Sequence, residues 1–391
     1  MLKKKGSWQN EIFDVQGESE GYQIEADDGD DEIYGTEFMD YLFGQGGDDR
    51  IHGNGGGDYI TGENGADWLD GGDGDDWVYG DRDDDVLFGQ AGNDHLYGGQ
   101  GRDVIFGGDD EDHIEGAEDN DLIFGGAGAD QLHGQDGDDE ISAGAGDDGL
   151  NGGAGADQLD GDSGVDYVSY IDSTIGVVVS LTTGVGMFGD ADGDFLIAIE
   201  NLKGSLWHDT LVGSVGANEL YGRDGNDTLK GGGDDDLLVG GAGYDTLEGG
   251  VGADTLDGGA NDDILEGGLN SGGFETLTGG SGSDTFLFSN GHSPLIGSSP
   301  GDTITDFELG WDVIDLSQMD ADVNKNGNQA FTMVDKFSGQ AGELVLENSA
   351  IAGQNYTTIL ADWDGDGKAD DAIAVAIAGS KGFLSQSDLV L

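Results

Sequence analysis

From Ala26 the chain repeats every nine residues without a gap to Ser169, giving 16 consecutive repeats such as GGDGDDWVY (71–79), GQAGNDHLY (89–97) and GGQGRDVIF (98–106). The sixth position is Asp in all 16, from Asp31 to Asp166, and the eighth is Ile, Leu or Val in all 16, from Ile33 to Val168. Gly opens 14 of them, Ala26 and Ala143 being the exceptions, and fills the fourth position in 12. Two positions held fixed over such a run set the architecture ahead of any residue propensity. A second array of seven repeats covers 204–266, with Leu at every eighth position and Asp at every sixth except Asn218. A longer repeat (267–278) and a last regular one follow, ending at Leu287.

Each repeat divides into a Gly/Asp loop of six residues and a three-residue strand with its aliphatic residue in the middle, so that this residue faces one side and its neighbours the other. One aliphatic contact per repeat cannot hold a fold. Stacked at about 4.8 Å per layer, with successive repeats alternating between two parallel sheets, the aliphatic residues become a continuous thin core. The expected fold is therefore all-β, a parallel β-roll (β-helix) solenoid. Sixteen repeats make eight two-repeat coils, roughly 38 Å long.

The charge decides what else must be present. With 13 Lys+Arg against 83 Asp+Glu, the formal net charge is −70, and low hydrophobicity at high charge is the signature of a chain that stays disordered without a partner. Such a polyanion repels nucleic-acid phosphate and anionic membrane surfaces, so no nucleic-acid partner is expected. No apolar run is long enough for a transmembrane segment. The absence of Cys excludes disulfides, thiolate zinc sites and Cys nucleophiles. Glycines allow close approach of stacked loops and positive φ, while regularly placed Asp side chains and loop carbonyls offer hard oxygen ligands. That donor set selects Ca²⁺ over softer metals and over rigid Mg²⁺ geometry. About twenty Ca²⁺ ions over the chain would cancel roughly 40 charges.

The repeats resemble the RTX (repeats-in-toxin) hemolysin-type nonapeptide G-G-x-G-x-D-x-U-x, which is a calcium-binding β-roll repeat. Residues 71–79, 98–106, 125–133 and 240–248 match it fully. The resemblance implies multiple Ca²⁺ ions between stacked loops, with ligands carried over to Asp49, Asp58, Asp67, Asp76, Asp94, Asp103, Asp130, Asp139, Asp148, Asp157, Asp227, Asp245 and Asp254. Phe38 occupies a glycine position, which puts the site of Asp40 in doubt. Asp83, Asp110, Asp119 and Asp234 occupy the same position in other repeats and imply weaker sites, since Asp tolerates left-handed backbone better than Phe.

After residue 287 the periodicity stops. DTITDFELGWDVIDLS (302–317) and DWDGDGKADDAIAVAIAG (362–379) resemble the C-terminal domain of serralysin-type secreted proteins, including a terminus of one acid and three aliphatics, Asp388 to Leu391. The resemblance implies passage through a type I secretion channel, with a β-rich C-terminal cap. The organisation expected is an N-terminal segment (1–25), a first β-roll (26–169), inserted longer coils (170–203), a second β-roll (204–287) and a serralysin-like secretion domain (288–391). For 170–203 a flexible linker is the alternative, which the run Val177 to Leu181 opposes. Residues 1–25 carry three Lys but no apolar core of the kind a secretory signal has.

No H-E-x-x-H zinc motif, no G-x-S-x-G elbow and no recognisable catalytic module is found, and 25 leading residues are too few for a domain. Five of six His fall within repeats, and His292 lies elsewhere. Asp362-x-Asp364-x-Asp366-Gly367 opens like an EF-hand loop, but the twelfth position is Ile373, which cannot supply the bidentate carboxylate. A modified Ca²⁺ loop and a plain acidic turn remain equal readings. Aromatic residues at position nine (Tyr34, Phe43, Tyr79, Phe88, Tyr97, Phe106, Phe124) form an outward series, readable as a ladder that stiffens the sheet or as a surface for a cell-surface polysaccharide or protein. The expected function is a secreted, extracellular Ca²⁺-binding module that folds on Ca²⁺ outside the cell. The alternative is an extracellular enzyme or accessory subunit of a protease- or polysaccharide-modifying system, with an unrecognised active site.

Overall fold

In the computed structural model the described residues are 2–269, 274–289, 301–322, 325, 328–351, 354–378 and 382–391; His292 and part of the long repeat at 267–278 lie outside them. These residues form β-strands, turns and two short 3-10 segments. The chain divides into two compact bodies, the first Met1–Val179 with Thr183–Asn201 and the second Ser180–Thr182 with Leu202–Leu391.

In the first body, strands recur at the spacing of the repeat, for example Val86–Ala91, His95–Gln100, Val104–Asp109 and His113–Glu118. Alternate strands pair in parallel, with Leu87 opposite Ile105 and Leu96 opposite Ile114. A coil is therefore 18 residues, and successive repeats belong to opposite sheets. The strands are six residues long rather than three, because pairing resumes beyond the first-position glycine: Phe88 lies opposite Phe106 and then Gln90 opposite Gly108. The second position turns the chain with positive φ, 82° at Gln90 and 118° at Gly99, so the strand bends around the corner without losing its ladder.

The eighth-position residues form the core. Leu87, Leu96, Ile105, Ile114 and Ile123 are all 0% exposed, and each contributes about 1.5–3 kcal/mol by leaving water. Residues 2–25, in which no repeat is legible, add a further coil, with Leu2–Lys5 paired to Tyr22–Glu25 and Ile12–Asp14 paired to Glu32–Tyr34. Toward residue 201 the coil lengthens. Phe195–Ile197 pairs with Gln158–Asp160, Leu159 opposite Leu196, and the intervening chain buries Tyr170, Val177 and Ala191.

The second body repeats the pattern, with Leu220 opposite Leu238 and Leu229 opposite Leu247. Its later strands depart from the period. Thr303–Phe307 continues one sheet beside Thr276–Ser281, and Glu343–Ile351, Gln354–Asp362 and Asp371–Ile377 form an antiparallel meander. The last strand of that meander pairs in parallel with Thr303–Phe307. Leu389–Val390 docks in parallel on Val313–Gln318.

Candidate metal centre

Each sixth-position Asp stands at the mouth of its strand, and its backbone carbonyl accepts the N–H of the residue after the next coil's Asp, as in His113 N–H to Asp94 O at 2.8 Å. This pairing points the carboxylate along the stack. Its Oδ1 then accepts the backbone N–H of the Asp one coil earlier: Asp58 to Asp76 at 2.6 Å, Asp76 to Asp94 at 2.8 Å, and Asp94 to Asp112 at 2.9 Å. The result is a continuous ladder along each edge of the roll. Asp49, Asp67, Asp103, Asp139 and Asp157 fall on one, and Asp58, Asp76, Asp94, Asp130 and Asp148 on the other. In the second body Asp227 and Asp245 share one ladder, and Asp254 stands in the other.

The second oxygen is different. Among the described residues, Oδ2 of twenty sixth-position aspartates is buried with no hydrogen-bond partner, including all thirteen residues expected as ligands. The first-position glycine leaves room for it. A methyl placed on Gly89 would lie 2.3 Å from Asp94 Oδ2 and 2.6 Å from the carbonyl oxygen of Gly107 in the next coil; on Gly53 it would lie 2.3 Å from both Asp58 Oδ2 and Gly71 O. A carboxylate oxygen and a carbonyl oxygen thus converge on one small space with no donor between them. An unsatisfied buried carboxylate is costly unless a cation meets it, and an all-oxygen cradle is the donor set of a hard divalent ion.

The titration of these groups says the same. Burial pushes their carboxyls above the ordinary aspartate range, the accepted backbone N–H opposes it, and at Asp58, Asp67, Asp85, Asp94 and Asp121 neighbouring aspartates of the ladder add to it. Asp58, Asp67, Asp94 and Asp121 rise to about 8 and Asp85 to about 9. Asp103, Asp130 and Asp139 rise to about 6.

Seven aspartates outside the expected set have the same orphaned oxygen: Asp31, Asp85, Asp112, Asp121, Asp166, Asp236 and Asp263. Four of them (Asp85, Asp112, Asp121, Asp236) follow an Asp at the fourth position, and there the backbone simply moves to φ of 68–77° at Asp83, Asp110, Asp119 and Asp234, the left-handed region that Asp accepts. Glu275 also has this geometry. In the long repeat it accepts Asp254 N–H at 2.7 Å and leaves Oε1 unpartnered. The signal available for it was the Thr-Leu-Thr strand that follows.

Where the loop opens Gly-Ser or Gly-Thr, the acid is satisfied from within. Thr36 gives Asp40 Oδ2 its N–H at 2.6 Å and its hydroxyl at 3.0 Å. Ser205 gives Asp209 its N–H at 2.7 Å and its hydroxyl at 2.8 Å, and Ser214 N–H meets Asn218 Oδ1 at 2.6 Å. In the inserted coil, Asp194 keeps the ladder by accepting Asp157 N–H, and the buried Tyr170 hydroxyl satisfies its Oδ2 at 3.0 Å.

The acidic turn near the C-terminus has other geometry. Oxygens of Asp362, Asp364 and Asp370 lie within 4.8 Å of one another, but the loop's own Gly365 and Gly367 N–H groups meet both oxygens of Asp362 at 2.7 and 2.9 Å. Ile373 is buried in the following strand. On the outer faces, Phe88, Phe106 and Phe124 stack at 4.9 Å with planes 6° apart, and Tyr79 stacks on Tyr97 at 4.8 Å and 5°. Those rings turn their faces to one another and their edges to solvent.

The family model described as Peptidase M10 serralysin C terminal matches residues 43–391, and that described as RTX calcium-binding nonapeptide repeat (4 copies) matches residues 25–60. No curated protein matches the chain. Among solved structures, the extracellular lipase LipA from Serratia marcescens is similar at 16% identity and a TM-score of 0.21, over 74% of this chain and 40% of that one. The chain thus spans well under two thirds of that structure's length.

Proposed function

The chain belongs to the serralysin C-terminal family and carries its RTX calcium-binding repeats, and from that premise we infer that it is a secreted protein which folds around many Ca²⁺ ions once outside the cell. The observation that supports this reading is the series of orphaned Oδ2 atoms. Asp49, Asp58, Asp67, Asp76, Asp94, Asp103, Asp130, Asp139, Asp148, Asp157, Asp227, Asp245 and Asp254 are the proposed ligands, together with the seven further aspartates and Glu275. Each contributes one carboxylate oxygen, the adjacent coil contributes a carbonyl, and the ion supplies the cohesion that a core one residue wide does not. Proteins of this family are typical cargo of type I secretion. A chain kept unfolded by its own charge where Ca²⁺ is scarce can thread a channel, then fold where Ca²⁺ is abundant. Its role outside is that of a binding or structural module, and face-to-face stacking of the aromatic ladder favours stiffening of the roll over stacking on sugar rings. Circular dichroism during Ca²⁺ titration tests the reading. A cooperative rise of β signal from a coil baseline, reversed by EGTA and not produced by Mg²⁺, is expected; a chelated protein as folded and heat-resistant as the Ca²⁺ form would refute it.

A further inference from the structure

Two strands of the inserted coil, Val185–Met187 and Phe195–Ile197, pair antiparallel with Val185 opposite Phe195. Alternation along each strand turns Gly186 and Leu196 inward, where both are buried, and sends their neighbours outward. Those neighbours are all apolar: Val185 is 39% exposed, Met187 45%, Phe195 49% and Ile197 36%. In the repeat strand on the other side of Phe195–Ile197 the matching positions hold Gln158 and Asp160. The inserted pair therefore presents an oily face where the roll presents a polar one, and a contiguous exposed apolar face marks a contact surface.

Phe188, the next residue in the chain, extends that face with a ring 58% exposed. Its backbone has φ 65° and ψ 154°, a region that is essentially reserved for Gly and is costly for a bulky side chain. With the ring in water, little burial offsets that strain. A Phe held in a Gly conformation is thus explained by what it displays rather than by what it packs against.

Charge decides what covers the face. From Asp103 to Leu202 the sequence holds no Lys or Arg. Acids stand at the rim: Asp160 lies opposite Ile197 in the register, and Asp192 accepts the Phe188 N–H at 3.5 Å. A second copy of the chain would bring the same acids against these, and an anionic lipid surface would be repelled in the same way. A segment with an apolar stripe flanked by Lys or Arg matches both features, because its side-chain stems lie on the apolar face while their heads reach the carboxylates. We propose that this face docks a cationic amphipathic segment of a partner protein, with Phe188 and Met187 as its apolar anchors. The inference goes beyond the calcium reading and depends on it only for a folded roll.

Calorimetric titration of the full chain in saturating Ca²⁺ tests it, with a synthetic Lys/Leu peptide patterned as an amphipathic helix and a scrambled peptide of the same composition. The scramble measures attraction to a polyanion alone. The patterned peptide is expected to bind one site per chain about 10-fold or more tighter than the scramble. Phe188→Gly and Met187→Ser each weaken the patterned peptide and leave the scramble unchanged. Phe188→Gly also holds or raises the melting temperature, since Gly accepts that backbone without strain, and this separates docking from a structural role. Equal affinity for the two peptides, undiminished binding in both variants, or a lower melting temperature in Phe188→Gly overturns the proposal. So does self-association, or binding to phosphatidylcholine vesicles, that Phe188→Gly abolishes, for the face would then belong to a second copy or to lipid. Failure of the calcium reading would appear separately, in the fold recorded before any peptide is added.

Discussion

In Asp94 the two carboxylate oxygens have different chemistry: Oδ1 accepts the Asp76 N–H at 2.8 Å, while Oδ2 meets no donor. Asparagine separates the two roles. Asp94→Asn keeps the acceptor for Asp76 and puts an amide beside the Gly107 carbonyl, so the variant should require more Ca²⁺ for half-folding while its chelated form becomes more stable than the parent's. Asp94→Ala also abandons the Asp76 N–H, a loss of about 1–3 kcal/mol that should lower the melting temperature of the Ca²⁺-loaded form. Calorimetry and Ca²⁺ titration of both variants check this, and equal behaviour would mean that Oδ2 is not a ligand. Asn218 stands at the same position in the second array, but there its Oδ1 turns to its own loop and accepts Ser214 N–H at 2.6 Å. Period and residue type made most of the ladder legible. Phe38 put the Asp40 site in doubt, but the decisive residue is at position two: Thr36 there returns its N–H and hydroxyl to the Asp40 carboxylate. Glu275 escaped because a longer loop breaks the count while leaving the strand register intact.

At the scale of the strand, stability is distributed along columns in which each residue touches mainly its counterparts one coil away. Leu96 is 0% exposed between Val78 and Ile114. Leu96→Ala should therefore cost about 2–5 kcal/mol, read as a fall in melting temperature of the Ca²⁺-saturated protein, and hydrogen exchange should rise most in the flanking coils, because a stacked array couples nearest neighbours. Phe106→Ala removes two ring contacts at 4.9 Å, each worth about 0.5–1.5 kcal/mol beyond area, and should destabilise without altering any binding to polysaccharide. Retained melting temperature with lost polysaccharide binding would reverse that assignment. The alternation of aromatic rings between faces follows from the repeat, so the ladder could be read in advance. The six-residue strands could not, because they depend on backbone pairing resuming after a glycine, which leaves no mark in side-chain pattern. The coil at residues 2–25 was hidden for the opposite reason: its strands pair in register while its loops lack the Gly/Asp signature.

Over the whole molecule the ladder turns a net charge of −70 into a folding switch, and protons should be able to throw it as Ca²⁺ does. The ladder carboxyls are raised in the folded state to about 6 at Asp103, Asp130 and Asp139 and to about 8 at Asp58, Asp67, Asp94 and Asp121, against an unfolded value of about 3.9. Between those limits the fold binds more protons than the unfolded chain, so stability of the metal-free roll is lost as pH rises through roughly 6 to 8 and gained as pH falls toward about 4. A proton on Oδ2 also supplies the donor that the cradle lacks, allowing a bond to the carbonyl of the next coil. The chelated protein should accordingly be a coil at pH 8 and acquire β signal near pH 5, so the Ca²⁺ needed for half-folding falls over the same interval, while Ca²⁺ binding to the folded roll weakens because protons and Ca²⁺ compete for one oxygen. Added KCl should help the metal-free chain at pH 8 only in part, since screening weakens repulsion among exposed acids but reaches buried ones poorly. Far-ultraviolet dichroism of chelated protein across this range decides between the two accounts: acid-induced folding supports the buried carboxylates as the switch, whereas a metal-free chain equally disordered at pH 5 and pH 8 would leave surface repulsion as the sole obstacle to the fold.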